Sequence, residues 1–222
     1  IGARRKQGQD HGRHGNHGDL LLLSQHAGHM PLGHMPDFMR QHRGQLRFGF
    51  RRNDQATVHL PGGQLHRAFS IFLYANNQQV MLHKRSLEKP LWPNFWTNSC
   101  CSHPRTGESY EDAVHRRLKE ELGIETPLTR IYQFEYQAHF GSIGSEHELC
   151  SVYVGHLKEP VDITPHPNEI SQWGWFDLED VDDWIAKAPE EFTPWFLMEW
   201  RTLRDEHSDK VAMLTSKRAL VV

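Results

Sequence analysis

The chain has 222 residues, which suits one domain with room for an extension. Its formal net charge is -3 and its sequence pI is near 6.6, so no overall basic excess predicts binding to nucleic acid or to an anionic membrane. A hydrophobic fraction of 37% is low for a globular protein, and we therefore expect part of the chain to lie outside any core. Its apolar runs are far shorter than the ~20 residues that span a bilayer.

The chain has three cysteines, and two of them, Cys100 and Cys101, are neighbours. Because neighbouring cysteines form a disulfide only with strain, this pattern does not predict a disulfide framework. It predicts instead a reduced, intracellular protein, with the cytoplasm as the expected location. Targeting to an organelle by the N-terminal segment stays open, because that segment carries arginine and few acidic residues.

Residues 1–45 differ from the rest in being rich in glycine, histidine, arginine and glutamine, with no sustained helix or strand period. We expect a flexible or loosely docked extension, followed by a folded domain over residues 46–222 that opens with a strand at 46–50. Histidine-rich tracts can bind metal, but the histidine spacings in this segment match no standard site.

Hydrophobic patterning predicts strands and helices in the folded domain. Residues 66–74 are apolar, aromatic and β-branched in character, which indicates a buried strand, and a turn at 75–78 precedes a return strand at 80–85. Further strands are expected at 128–139, 148–157 and 170–176.

A helix is expected at 109–122, because an apolar stripe runs along it and Gly123 follows it. Two more helices, at 177–188 and 192–207, close the chain. This order predicts an α+β fold, an α/β/α sandwich with a mixed sheet and additional C-terminal helices.

The segment 96–104 concentrates two thiols, a histidine and small polar residues before Pro104. Proline disfavours a helical residue before it, so we expect a strand end or tight loop that holds Cys101 and His103 at one spot. A thiol close to an imidazole suggests an active site. The alternative is two small buried cysteines beside a loop histidine, since free cysteine is among the most buried residue types.

Three groups of residues offer metal ligands. They are His59 with His66 on either side of a Pro-Gly-Gly turn, His103, and the pair Glu146 and Glu148. In an extended segment, residues two apart project to the same face, so the two glutamates point together. A shell of imidazole nitrogens and carboxylate oxygens suits Mg²⁺ or Mn²⁺ and tolerates Zn²⁺.

A second constellation combines cations and carboxylates. Arg117 and Glu121 lie on the predicted helix 109–122, and Arg85 and Lys89 precede the cysteine segment. Cations beside a carboxylate-held Mg²⁺ could clamp a diphosphate. The alternative for the helix is a solvated face with ion pairs four residues apart, such as Arg117 with Glu121.

Three segments, His-Arg-Ala-Phe-Ser at 66–70, Trp-Thr-Asn-Ser-Cys-Cys-Ser-His-Pro at 96–104 and Gly-Ser-Glu-His-Glu at 144–148, together resemble the type I isopentenyl-diphosphate Δ-isomerases of the Nudix superfamily. The resemblance runs from about residue 53 to 200. When the Nudix box is placed on this chain, Ser102 falls at its first glycine and Arg117 falls where a glutamate belongs. The loss of that metal-binding carboxylate argues against hydrolysis and for the binding of an intact diphosphate.

The resemblance implies an isomerase of isoprenoid biosynthesis that interconverts isopentenyl and dimethylallyl diphosphate through a tertiary carbocation. Cys101 and Glu148 would be the acid/base pair, with Tyr136 supporting Glu148, and Trp195 would line the hydrocarbon pocket. The diphosphate ligands would be Arg85, Lys89 and Arg117, with Mg²⁺ near Glu121. The ligands of a second site, for Mn²⁺, Zn²⁺ or Mg²⁺, would be His59, His66, His103, Glu146 and Glu148.

No organic cofactor is implied, and the expected partner is the small isoprenyl diphosphate, bound by a monomer or weak dimer. Trp195, Tyr136 and Trp96 are the aromatic side chains that could stabilise a carbocation. Gln55 occupies a position where family members often have lysine. Two other functions stay open, a Nudix pyrophosphohydrolase and a non-enzymatic metal-binding protein that uses the N-terminal histidines.

Overall fold

Residues 58–76 and 78–216 are described by a computed structural model. The predicted extension, the predicted strand at 46–50 and Gln55 lie outside these residues. The division of the chain at residues 45 and 46 therefore stays a prediction.

Seven strands and four α-helices form the described part of the chain. The strands are β1 (His66–Ala75), β2 (Gln79–Arg85), β3 (Trp96–Thr97), β4 (Cys100–Ser102), β5 (Leu128–Phe140), β6 (Gly144–Leu157) and β7 (Ile170–Asp177). The helices are α1 (Tyr110–Leu122), α2 (Leu178–Lys187), α3 (Pro194–Asp205) and α4 (Ser208–Thr215), with a short 3₁₀ turn at Pro189–Glu191. Among these described helices, none combines the length and apolar character needed to cross a membrane.

The strands form one mixed sheet, which confirms the predicted fold class. The order β3-β2-β1-β6-β5 runs across the sheet, while β4 pairs with β1 and β7 pairs with β2. The pair β1 and β6 is parallel, and the other pairs are antiparallel. The central strand β1 therefore borders β6 on one side and both β2 and β4 on the other.

Both faces of β1 are buried, which explains why its sequence is apolar without alternation. Phe69, Ile71 and Leu73 pack in one core cluster with the apolar stripe of α1. Residues on the opposite face, such as Phe72, pack in the other cluster with α3 side chains that include Phe196. The sheet thus lies between α1 and the C-terminal helices, as the predicted α/β/α sandwich requires.

The ends of α1 follow the expected capping chemistry. The Ser109 hydroxyl accepts a hydrogen bond from the backbone N–H of Asp112 at 3.0 Å, and Gly123 ends the helix in the left-handed conformation, with φ of 72°. Pro194 occupies the first turn of α3, where no backbone donor is needed.

Candidate active site

Strand pairing to β1 brings together residues that are distant in the sequence. The parallel register with β6 places His66 opposite Glu148. The antiparallel register with β4 places Ser70 opposite Cys101. Ser70, Cys101 and Glu148 border a cavity of about 350 Å³. Its lining also includes His59, Arg85, Lys89, His103, Arg117, Tyr136, Glu146, Glu169 and Trp195.

Five potential metal ligands meet at one side of this cavity: His59, His66, His103, Glu146 and Glu148. One ligand atom from each lies within 4.8 Å of the others. The three imidazole centroids are 4.8–5.5 Å apart, so the rings converge on a common point.

The electrostatics of this cluster fit a metal ion. Nε2 of His66 is buried and makes no hydrogen bond, and the closest carboxylate oxygen of Glu148 is 3.7 Å away. Burial lowers the pKa of His66 and lowers that of His103 to about 4, so both imidazoles are neutral at pH 7. A neutral imidazole beside a carboxylate is the form that ligates a divalent cation.

The alternation of β6 decides which of its side chains enter the cluster. Glu146 and Glu148 are both buried and point inward, as expected from their spacing of two residues. His147 points to the other face, where its Nε2 contacts Glu135 Oε1 at 3.1 Å. The Glu146 carboxylate contacts Nε2 of His59 at 2.9 Å.

Cys101 lies on the floor of the cavity. Its thiol donates a hydrogen bond to Oδ1 of Asn98 at 2.7 Å and lies 3.5 Å from the hydroxyl of Ser70. Burial raises the pKa of Cys101 to about 12, and Arg85 opposes this shift only in part. The thiol is therefore protonated at neutral pH in this structure. Cys100 points into the core on the other face of the sheet.

Glu148 contacts two of the predicted functional residues. The Tyr136 hydroxyl donates to Glu148 Oε2 at 2.8 Å, and His103 Nε2 lies 3.0 Å from Glu148 Oε1. Burial raises the pKa of this carboxyl. Cys101 and Glu148 thus face one cavity from different strands, and each is held by neighbouring polar groups.

Aromatic rings form part of the cavity wall. Trp195 stands edge-on to Trp92, and the Arg85 guanidinium lies 5.2 Å from the centroid of the Trp195 ring. Trp96, by contrast, packs against Phe176 and does not line this cavity. The expectation that Trp96 could face a carbocation is therefore wrong, because its ring packs between Phe176 of β7 and Trp184 of α2.

The predicted diphosphate ligands also border the cavity. Arg85 is buried and donates to the carbonyl oxygens of Leu91 and Trp92, which fixes its guanidinium. Lys89 and Arg117 both contact Glu169. Glu121 is buried beside Arg117 and outside the five-residue cluster, and burial raises its pKa to about 7.

The sequence profile of the NUDIX domain matches residues 64–196. Isopentenyl-diphosphate Delta-isomerase 1 of Photorhabdus laumondii is 42% identical over 161 residues, 71% of this chain and 90% of that protein. The isopentenyl-diphosphate Delta-isomerases of Serratia proteamaculans and Escherichia coli are 38% and 39% identical, over 69% and 66% of this chain and 85% and 80% of those proteins. The chain belongs to the isopentenyl-diphosphate Delta-isomerase family within the Nudix superfamily.

A solved structure has the same fold. The MutT protein from Methanosarcina mazei superposes with a TM-score of 0.52 at 16% identity, over 68% of this chain and 97% of that one. Within the Nudix fold, the helix of the Nudix box is α1, and the departure at Arg117 faces the cavity.

Four polar residues around the isomerase-family site carried no predicted role. Asn98 and Ser70 contact the Cys101 thiol, and Glu169 bridges two cations. Glu199 of α3 is fully buried, with its Oε1 3.5 Å from the Cys150 sulfur. A glutamate on the same helix face as Trp195 was a signal that could have drawn attention to it.

Proposed function

We propose that this protein interconverts isopentenyl diphosphate and dimethylallyl diphosphate. The observation that carries the proposal is that Cys101 and Glu148 face one cavity that has cations at one side and aromatic rings in its wall. The names of the family relatives point to the same substrates. The cavity volume of about 350 Å³ suits a small ligand.

The reaction requires two proton transfers at carbon. One group donates a proton to the terminal methylene carbon of isopentenyl diphosphate, whose double-bond electrons form the new C–H bond and leave positive charge on the tertiary carbon. A second group removes a proton from C2, and the electrons of that C–H bond form the new double bond. Cys101 and Glu148 are our assignments for these groups, and they exchange roles in the reverse direction.

Other cavity residues would support these transfers. Tyr136 would hold the carboxyl of Glu148 in place through its hydroxyl. The face of Trp195 would stabilise the positive charge on the tertiary carbon, as aromatic faces do for other cations. The apolar wall would also exclude water, which would otherwise trap the carbocation as an alcohol.

We assign His59, His66, His103, Glu146 and Glu148 as the ligands of one divalent metal, which could be Mg²⁺, Mn²⁺ or Zn²⁺. When bound, such an ion supplies positive charge that makes a coordinated carboxyl more acidic. The diphosphate would be held by Arg85, Lys89 and Arg117, with Mg²⁺ near Glu121. An isomerase of this kind needs no organic cofactor, and a monomer or weak dimer in the cytoplasm stays our prediction.

An assay with isopentenyl diphosphate tests the function. We expect formation of the acid-labile allylic product in the presence of Mg²⁺ or Mn²⁺, loss of activity after chelation, and recovery when the ion is restored. Release of inorganic phosphate with no allylic product would support the pyrophosphohydrolase instead. Full isomerisation after exhaustive chelation would contradict the metal assignment.

Deletion of residues 1–45 tests the assigned domain and the non-enzymatic alternative together. If residues 46–222 form the catalytic domain, the shortened protein keeps both its turnover and one tightly bound metal ion. If the N-terminal histidines are the metal site, the deletion removes the bound metal.

A further inference from the structure

Glu169 bridges two of the cations that we assign to the diphosphate. Its Oε2 accepts a hydrogen bond from Lys89 Nζ at 2.6 Å, and its Oε1 accepts one from Arg117 Nη2 at 3.3 Å. All three residues line the cavity. The cations that would bind a ligand anion are therefore already in contact with an anion of the protein.

A backbone hydrogen bond fixes the main chain at Glu169, whereas its side chain stays partly exposed to solvent. The Glu169 carbonyl oxygen accepts a hydrogen bond from the Ser86 N–H at 2.9 Å, next to the start of β7. Its side chain keeps about a quarter of its surface exposed, at 26%. Burial alone would raise the pKa of this carboxyl, but Lys89 and Arg117 lower it, so Glu169 is ionised at pH 7.

A carboxylate that receives hydrogen bonds from a lysine and an arginine imitates part of a phosphate group. Both groups present oxygens that accept charge-assisted hydrogen bonds from these two side chains. A diphosphate that used Lys89 and Arg117 would take over the donors that Glu169 now holds. It would also bring negative charge next to that carboxylate, which costs free energy unless the carboxylate moves away or a cation accompanies the ligand.

We propose that Glu169 is a built-in competitor of the diphosphate, which occupies Lys89 and Arg117 until the ligand displaces it. This inference rests on the proposed function, because it takes those two cations as diphosphate ligands. The competition weakens binding of substrate and product alike. It thereby hastens release of a product that carries the same diphosphate as the substrate.

Titration calorimetry with inorganic pyrophosphate at a fixed Mg²⁺ concentration tests the inference on the full chain. Glu169→Gln removes the charge and keeps the shape, and we expect it to bind pyrophosphate about tenfold more tightly than the unaltered protein. Glu169→Ala should change affinity in the same direction. Thermal unfolding of each variant establishes that it is folded.

Glu120→Gln is the matched control. Glu120 also contacts Arg117, at 3.0 Å, but it does not line the cavity. We expect this variant to change pyrophosphate affinity by less than about twofold, because surface ion pairs contribute little. An equal gain in both variants would mean that net charge alone is responsible, and would overturn the inference.

Unchanged or weaker pyrophosphate binding by Glu169→Gln would also overturn it, since Glu169 would then be a support that holds the two cations in place. The binding measurement does not depend on turnover. If the protein fails to isomerise isopentenyl diphosphate but Glu169→Gln binds pyrophosphate more tightly, the proposed reaction fails and the competition stands. If isomerisation occurs and pyrophosphate affinity does not rise, the proposed reaction stands and the competition by Glu169 fails.

Discussion

At the scale of single residues, Cys100 and Cys101 differ through strand alternation alone. Successive side chains of β4 point to opposite faces of the sheet. Cys100 packs in the core cluster beneath α1, whereas Cys101 faces the cavity and contacts Asn98. The two interpretations of this segment, packing and chemistry, therefore apply to different cysteines.

Replacement of each cysteine by alanine should separate the two roles. We expect Cys101→Ala to lower isomerase turnover by a factor on the order of 10³, because a proton-transfer group is removed. Cys100→Ala should keep its turnover and lose about 1 kcal/mol of unfolding free energy, through a small core cavity. Turnover assays and urea unfolding measure these effects, and near-normal turnover by Cys101→Ala would refute its assignment.

One histidine within the ligand cluster and one that points away from it provide a second comparison. His103→Ala removes an assigned ligand, and we expect a loss of tenfold or more in Mn²⁺ affinity. His147→Ala, between the two inward-facing glutamates, should leave Mn²⁺ affinity unchanged because its ring faces outward. Calorimetry with Mn²⁺ measures both, and equal losses would contradict the assigned shell.

At the scale of elements, patterns of burial explain which predictions succeeded. The helix at 109–122 was predicted from its apolar stripe, and the structure buries Ala113, Val114, Leu118 and Leu122. The strands of two or three residues, β3 and β4, are too short to show a period. The predicted strand at 148–157 begins four residues earlier, at Gly144, because residues 144–147 also pair with the end of β5.

The final helix was missed for a different reason. Residues 208–215 follow α3 after only two residues, 206 and 207. The predicted helix 192–207 included those two residues, so no break in the pattern marked the start of another helix. Val211 and Thr215 are buried, which shows that α4 is held mainly by tertiary packing.

Helix capping gives a prediction at this scale. Ser109→Ala removes the side-chain cap of α1 and should cost about 1 kcal/mol of unfolding free energy. Asp177 occupies the corresponding position of α2 but makes no side-chain capping bond, so Asp177→Ala should cost less. Urea unfolding of both variants measures the difference, and equal costs would contradict this role of the Ser109 hydroxyl.

At the scale of the whole molecule, residue types alone indicated a metal site but did not show which residues form it. The histidines and glutamates suggested metal ligands, and the resemblance to a family indicated which five of them bind one ion. Glu169 could not be assigned from local patterns, because its role depends on contacts with Lys89 and Arg117 on other elements. Such contacts across the fold leave no periodicity in the sequence.

The buried carboxyl of Glu199 makes global stability depend on pH. Burial raises its pKa to about 8, whereas a glutamate in an unfolded chain titrates near ~4.3. Between these values the native protein holds a proton that the unfolded chain has released, so stability falls as pH rises. Relative to Glu199→Gln, the unaltered protein should lose about 1.4 kcal/mol of unfolding free energy per pH unit between about pH 5 and 8.

Urea unfolding of both proteins at several pH values measures this difference. Subtraction of the Glu199→Gln curve removes the contribution of every other titrating group. Parallel curves for the two proteins would mean that Glu199 does not hold a proton in the native state.

The parallel pairing of β1 with β6 has a consequence for the order of folding. Because His66 and Glu148 come from distant parts of the chain, their pairing closes a long loop, which is slow in folding. The ligand set is complete only after that closure, so a metal ion would bind the native state and not its precursors. Such an ion would slow unfolding and leave the folding rate nearly unchanged, and its binding would report that β1 and β6 have paired.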